Sequence, residues 1–348
     1  MEGAFRSPPD VVVVHAPPGG AKELITGRMT PPKTSARVLL TTWESTVFPK
    51  EMGDSIAQLY DMVIVPSDFN VEIMSKHEGL KPKLRVLPHA FDPEFWGRGE
   101  TFLASDLFKG DTRFSFYTVG AWVERKNPIG LLKAYLTAFT SKDDVVLRFL
   151  TPAVNQRDVE ALGRALNLPD LPTVEFFGRE GKKLMDGPKS GWGRLSENDL
   201  LAFHYRSNVF VTLTRGEGWG LGAFEAAIVG NPVIAPDYSG HTHFLASYPG
   251  YEPIDYMLTP AVVPEQLSNR SMEIGGIKIT PMTSAAPPGL SGDQLWAEPD
   301  LVQARDCMRA YYKHRGERIR YPDKMLDFSY ERVGQEFVDL LHEVKRGP

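Results

Sequence analysis

The sequence predicts an α/β protein, and three observations predict it. Short β-branched or apolar runs recur along the chain: Val11–Val14, Val38–Thr42, Met62–Val65, Leu84–Leu87, Phe114–Val119, Val145–Leu150, Val174–Phe177, Val209–Leu213 and Val233–Ala235. Several are apolar throughout instead of alternating, the pattern of strands in a parallel sheet covered by helices on both faces. Helix-like segments lie between them.

The first four runs group within residues 1 to about 100 and the other five within about 110 to 240. At 348 residues the chain exceeds the size at which one core usually keeps growing, so two domains are expected. The polar, turn-rich stretch Asp92–Asp111 reads as the linker, which gives two Rossmann-like units facing each other across a cleft. The expected division is 1–105, 106–322 and a closing helical segment, 323–348. A helix is predicted at Pro128–Phe139, where Leu131, Leu132, Tyr135 and Phe139 share a face. A second is predicted at Ser196–Tyr205, opened by Ser196-Glu-Asn-Asp199, a variant of the Ser-x-x-Glu capping box. The last, Tyr330–Val344, carries Val333, Phe337, Leu340 and Leu341 on one stripe and should pack back on the body. Residues 246–295 are the least readable, being rich in Pro, Gly, Ser and Tyr. Within them Met272–Ile279 reads as a hairpin turning on Gly275-Gly276. Such a segment is either a substrate-shaping element or a decorated surface insertion.

Composition narrows the function classes. Hydrophobic content of 42% and charged content of 24% are ordinary for a soluble globular enzyme. A formal net charge of −5 argues against broad electrostatic capture of nucleic acid or anionic membrane, while leaving room for a local basic cleft. The single cysteine, Cys307, excludes an intramolecular disulfide and fits a reducing compartment. It falls in a predicted helix, where a packed thiol is the expectation. The first ten residues lack the basic-then-apolar order of a secretory signal, and no run approaches the roughly 18–20 apolar residues that span a bilayer. A cytoplasmic location is expected.

The chemistry concentrates in Arg215-Gly-Glu-Gly-Trp-Gly-Leu-Gly-Ala-Phe-Glu225, where seven residues separate Glu217 from Glu225 and a helix-like run follows. Gly216, Gly218 and Gly220 allow a close backbone approach to a ligand, and the following helix offers free N–H groups and its positive dipole end to a diphosphate. Carboxylates repel phosphate but accept hydrogen bonds from hydroxyls, so Glu217 and Glu225 suit the vicinal diols of a ribose and a hexose. That is nucleotide-sugar chemistry. It requires both carboxylates to face the groove between the units instead of being locked in interior salt bridges. Val119-Gly-Ala-Trp-Val-Glu-Arg-Lys-Asn-Pro128 lies between a strand and a helix, which sets Arg125 and Lys126 at the C-terminal edge of a sheet. Beside a diphosphate, these cations would stabilise the charge that grows on a leaving nucleotide.

Phe177-Gly-Arg, Ser196–Val211, Glu217…Glu225 and Gly230-Asn-Pro-Val-Ile-Ala-Pro-Asp-Tyr-Ser-Gly240 together resemble the C-terminal domain of family 4 glycosyltransferases, retaining enzymes of the GT-B fold. Thr41-Thr-Trp-Glu-Ser-Thr46 with Pro49, Val65-Pro-Ser-Asp-Phe-Asn70, Val86-Leu-Pro-His-Ala-Phe-Asp92 and Trp296-Ala-Glu-Pro-Asp300 resemble motifs of one branch of that family. The resemblance covers roughly residues 11–341 and is strongest over 114–245. It implies transfer of a sugar from a nucleoside-diphosphate sugar, such as a UDP-sugar, to an acceptor hydroxyl, with no metal and no further cofactor. It implies that Lys126 and Arg125 contact the donor diphosphate and that Glu217 holds hydroxyls of the transferred sugar. Glu225 would accept from the ribose hydroxyls, and backbone amides of Trp219, Gly220 and Leu221 would meet phosphate or sugar. Family members often carry an arginine directly after the glycine matching Gly120. Here that position is Ala121, and Arg125 is the candidate substitute. About a hundred residues is also short for the acceptor-side domain of this family.

On the acceptor side, Glu44 follows the Val38–Thr42 strand, where a carboxylate either orients or deprotonates an acceptor hydroxyl or serves as a capping or salt-bridged residue. His15-Ala-Pro-Pro-Gly-Gly20 either replaces part of a glycine-rich loop or simply ends its strand. His241-Thr-His243 could share one face of an extended segment, but no third ligand accompanies them, so a loop near the donor sugar is expected over a metal site. His89 matches a loop at the interdomain hinge. Two alternatives come from the shortened first domain and the open acceptor: a non-catalytic GT-B partner or scaffold, and a viral-type glycosyltransferase acting on hydroxymethyl-pyrimidine bases in DNA. A nucleotide-sugar isomerase of the same fold is a third. The acceptor is left among glycans, lipid-linked sugars, proteins, metabolites and modified DNA.

Overall fold

The computed structural model describes residues 9–28, 34–97, 99, 105–151, 156–178, 196–261, 272–274, 277–279, 293–315, 319 and 323–346. Nine apolar runs give nine strands. The first four, β1 (Val11–His15), β2 (Ala36–Leu40), β3 (Met62–Val65) and β4 (Leu84–Val86), form one parallel sheet in the order β1-β2-β3-β4. The next five, β5 (Phe114–Val119), β6 (Val145–Leu150), β7 (Thr173–Phe177), β8 (Val209–Val211) and β9 (Val233–Pro236), join β10 (Tyr251–Ile254) in a second. Its order is β10-β9-β8-β5-β6-β7, all parallel. Numbered within its own domain this is the doubly wound order 3-2-1-4-5-6, whose connections diverge between β5 and β8. β10 was not foreseen, because Tyr251-Glu-Pro-Ile254 is too short and too polar to stand out as a run.

The all-apolar strands are buried on both faces, as a helix-covered sheet requires. In β3 all four residues are buried: Val63 and Val65 face one core with Leu39 and Ile73, while Met62 and Ile64 face another with Val38. That second face is covered by Phe337, Leu340, Leu341 and Val344 of the Tyr330–Arg346 helix. The closing helix therefore returns to the first sheet, and Arg85–Glu343 and Lys345–Asp10 ion pairs flank the contact. In the six-stranded sheet the same alternation sends Phe116, Leu147, Phe149 and Val211 to one face, beneath Leu131, Leu132 and Tyr135 of the Pro128–Ala138 helix. Tyr117, Leu150, Phe177 and Phe210 go to the other, against Phe203, Phe224 and Phe244.

The capping box read from Ser196 forms: its hydroxyl accepts from Asp199 N at 3.1 Å, opening the Glu197–Tyr205 helix. Between the sheets, Asp92 caps a short Pro93–Trp96 helix, and the Trp96 carbonyl accepts from Tyr205 Oη at 2.6 Å. The expected linker is thus partly fastened to the second domain. The chain crosses back beside its first crossing, with Phe91 N donating to Phe328 O (3.0 Å) and Tyr330 N to Phe91 O (2.9 Å). Beyond the sheets, β11 (Tyr256–Pro260) pairs antiparallel with β14 (Leu295–Pro299), and β12 (Met272–Ile274) with β13 (Ile277–Ile279). The predicted hairpin is therefore present, although its Gly275-Gly276 turn lies outside the described residues. Among the described residues no helix is long and apolar enough to cross a membrane.

Candidate active site

The divergence point between β5 and β8 is where open α/β sheets take ligands, and both singled-out motifs converge on it. After β5, a 3₁₀ turn at Glu124–Lys126 leads to Asn127, which adopts φ 50° and caps the Pro128–Ala138 helix by accepting from Gly130 N at 3.1 Å. This sharp turn projects Arg125 and Lys126 back over the sheet edge. After β8 comes the glycine-rich loop, and Gly220 at φ 94° turns it into the Leu221–Ile228 helix. A non-glycine residue would be strained in that left-handed conformation. No side chain caps this helix, so the N–H groups of its first turn are left for a ligand. Arg215 ties the two turns together. It pairs with Glu124 and with Glu298, both at 2.6 Å, and its N–H donates to Arg125 O at 2.7 Å.

Lys126 Nζ lies 2.5 Å from Glu217 Oε1, and Arg125 Nη1 lies 3.2 Å from Glu217 Oε2. Arg125 also reaches across the domain boundary to Glu44 Oε1 at 3.2 Å. Burial pushes the Glu217 carboxyl up, but Lys126 and Arg125 outweigh it and hold the group at about 2. For Arg125, burial works against the charge, and Glu217 with Glu44 more than offsets it, so its affinity for the proton rises. Two carboxylates and two cations from both domains thus form one continuous cluster. A cavity of about 30 Å³ opens beside it, lined by Gly120, Lys126, Thr151, Glu217, Gly220 and His241 among others.

The structure does not bring all the sequence-predicted residues together. Glu217 borders the cavity but is engaged in the interior ion pairs that the sequence reading required it to avoid, and its partners are the two cations assigned to the diphosphate. Glu225 stands away from the cavity and pairs with His204 Nε2 at 3.2 Å. Gly216 and Gly218 were expected to admit a ligand; instead they admit the other domain. A Cβ on Gly216 would fall 2.2 Å from Glu44 O, and one on Gly218 would fall 1.6 Å from Thr42 Oγ1. Gly218 O accepts from Ser67 Oγ (2.9 Å) and Asn70 Nδ2 (3.1 Å), so the loop is clasped by the first domain. Trp219 is buried against Phe224, Phe244 and Phe328, and Leu221 is half exposed at the helix start. Ala121 lines the cavity beside Arg125's turn.

On the acceptor side, His15 ends β1 exposed, close enough for its charge to act on His89, whose proton affinity is lowered first by burial and then by His15. His243 and His241 diverge. His243 Nδ1 contacts Asp68 Oδ2 at 2.9 Å across the domain boundary, while His241 is interior. Among the described residues no group of three or more His, Cys, Asp or Glu gathers in a metal-binding arrangement. Cys307 is partly buried with its thiol pushed up to about 11, by burial and then by Glu252. Sequence reasoning missed Thr151, His204 and the Ser67–Asn70 clasp as site elements. The last two had a signal, His204 within Ser196–Val211 and the clasp in the motif Val65-Pro-Ser-Asp-Phe-Asn70.

Two facing parallel sheets with a basic turn and a glycine loop at the divergence point find counterparts among solved structures. A sucrose-phosphate synthase from Thermosynechococcus elongatus superposes with a TM-score of 0.64 at 13% identity, over 97% of this chain and 74% of that one. The fold is GT-B. A glycosyltransferase from Rickettsia africae shares this GT-B arrangement with a TM-score of 0.55 at 12% identity, over 97% of this chain and 78% of that one. So does Anabaena HepE, solved with UDP and glucose, with a TM-score of 0.53 at 14% identity, over 89% and 72%. No protein-family model matches the sequence, and no curated protein matches it significantly. The likeness read from the motifs thus holds for the GT-B fold over nearly the whole chain.

Proposed function

We propose that this GT-B protein is a retaining glycosyltransferase that moves a sugar from a nucleoside-diphosphate sugar to an acceptor hydroxyl. One observation carries the reading: Lys126, Arg125 and an uncapped helix start converge at the divergence point of a 3-2-1-4-5-6 sheet, facing Glu44 of the other domain. In this reading the diphosphate takes Lys126 and Arg125 from Glu217 and Glu44. Both cations keep an anionic partner throughout, and the carboxylates they leave turn to hydroxyl donors. The C1–O bond to the diphosphate breaks, the acceptor oxygen bonds C1 from the same face, and the acceptor proton passes to the leaving phosphate oxygen. Lys126 and Arg125 stabilise the charge growing on that oxygen. Glu217, released from both cations, accepts from sugar hydroxyls. Glu225, held by His204, accepts from the ribose along the Leu221–Ile228 helix.

The ion pairs that fill the site favour a second reading, a non-catalytic GT-B partner whose cluster only locks the domains. Incubation of the purified protein with UDP- and GDP-hexoses separates the two, because a transferase releases nucleoside diphosphate by transfer or slow hydrolysis. No release with any donor, with or without an acceptor mixture, leaves the scaffold reading standing.

A further inference from the structure

His241 is fixed in one tautomer by its surroundings. It is 1% exposed, and its Nε2 lies 2.7 Å from the Pro236 carbonyl, which can only accept, so Nε2 carries the proton. Burial lowers the proton affinity of the ring and outweighs the opposing pulls of the Pro236 carbonyl and Glu217. The ring is therefore neutral and Nδ1 is a bare acceptor. That atom is buried without a partner, as is the hydroxyl of Thr151, which is 4% exposed. Unpartnered buried acceptors are costly, and both residues line the cavity beside Glu217.

We infer that His241 and Thr151 form a subsite for one hydroxyl of the transferred sugar, with His241 Nδ1 accepting a hydrogen bond from it and Thr151 completing its hydrogen bonds. The inference rests on the transferase reading and adds to it which end of the donor enters the cavity. His241 Nδ1 and the ionised Glu217 are both acceptors. They repel the acceptor-only oxygens of a diphosphate and attract O–H donors, so the cavity takes sugar and not phosphate. Thr151 both donates and accepts, which matches a hydroxyl. A volume of about 30 Å³ admits one hydroxyl-bearing arm and not a ring, so the rest of the sugar stays at the mouth, beside Lys126. The ring of His241 is held in place: Gly220 packs so closely that a Cβ there would lie 3.0 Å from His241 Cβ. A donor lacking the matching hydroxyl leaves Nδ1 unpaired, and this makes the subsite selective.

The test is calorimetric titration of the full chain with UDP, GDP, UDP-glucose, GDP-glucose and donors deoxygenated at single ring carbons. His241→Phe should weaken binding of the preferred hexose donor about tenfold, the worth of one buried hydrogen bond, and leave binding of the bare diphosphate unchanged. His241→Asn, which restores an acceptor near Nδ1, should recover most of the loss. One deoxygenated donor should bind the wild type about tenfold more weakly and show no further loss with His241→Phe. Equal weakening of diphosphate and hexose donor by His241→Phe would overturn the subsite alone, as would a wild type indifferent to every deoxygenated donor. Failure of the wild type to bind any of the nucleotides would overturn the transferase reading and the subsite with it.

Discussion

Two charge clusters, one wholly in the second domain and one shared between the domains, have the same sum and opposite designs. Arg148 and Glu175, on paired strands, meet Asp111 and Arg113 of the turn before β5, with Arg113–Asp111 at 2.7 Å, Arg113–Glu175 at 3.2 Å and Arg148–Glu175 at 3.6 Å. At the sheet edge, Glu217 and Glu44 meet Arg125 and Lys126. Arg148 and Glu175 are register partners on β6 and β7, and the Arg148 side chain is 1% exposed. All four residues of the inner cluster come from one domain. The edge cluster sits on turns, recruits Glu44 from the other domain, and leaves the Lys126 side chain 26% exposed at a cavity. Burial dominates at Arg148, lowering its proton affinity; at Arg125 burial is outweighed by Glu217 and Glu44 together, and the proton affinity rises. A cluster anchored by a buried arginine on a central strand serves stability, and one assembled from turns of two domains can exchange partners with a ligand.

Replacing Arg148 should produce the largest loss. Arg148→Met removes one of the two arginines that Asp111 and Glu175 share, and urea denaturation should show a loss of about 3–5 kcal/mol. Lys126→Met should cost less, about 1–2 kcal/mol, since Arg125 still pairs with the buried Glu217. Equal losses in the two variants would erase the distinction between the clusters.

Turnover should show the reverse. Lys126→Ala should reduce sugar transfer or donor hydrolysis about 10²–10³-fold, the usual cost of removing one donor that stabilises charge at the reacting centre. An active Lys126→Ala variant would mean that the edge cluster, like the inner one, is only structural.

Acid should strain both clusters within overlapping windows. Asp111 is held at about 2, chiefly by its bond from Arg113, and Glu217 at about 2, where Lys126 and Arg125 outweigh burial. Both folded values lie below the unfolded ones of 3.8 and 4.5, so the stability they add is complete above about pH 4.5 and is lost as pH falls through about 2. Glu217→Gln should flatten the upper part of that decline, by on the order of 2 kcal/mol. An unchanged acid profile would show that its pairs form equally in the unfolded chain.

The sheets were legible in the sequence because their signal is local. Runs such as Met62–Val65 are apolar on both faces, and that alone declares a helix-covered parallel strand. The Ser196 capping box and the Phe337–Leu341 stripe were legible for the same reason. The pairing of the two halves was not, since no spacing tells Gly218 that Thr42 and Asn70 will close on it. A glycine required for backbone approach reads the same whether a ligand or another domain approaches. The motif around Glu217 likewise named the residues without their partners: pairing with Lys126 depends on the left-handed Asn127 turn, and the separation of Glu225 from Glu217 on which face of the Leu221–Ile228 helix meets His204.

Glu44 tests the edge cluster at its weakest link. Its side chain is 30% exposed and that of Arg125 is 19% exposed, so their 3.2 Å contact should contribute under about 1 kcal/mol to stability. If Glu44 serves as a latch that occupies Arg125 until a diphosphate arrives, Glu44→Gln frees the guanidinium. Binding of UDP or GDP should then tighten by up to about fivefold, the equivalent of that contact. If Glu44 instead serves the acceptor, nucleotide affinity stays constant and turnover with acceptor falls while donor hydrolysis persists. Calorimetry paired with the two rates separates these roles. The latch is the expected outcome, because the carboxylate already faces the cation that the donor must claim.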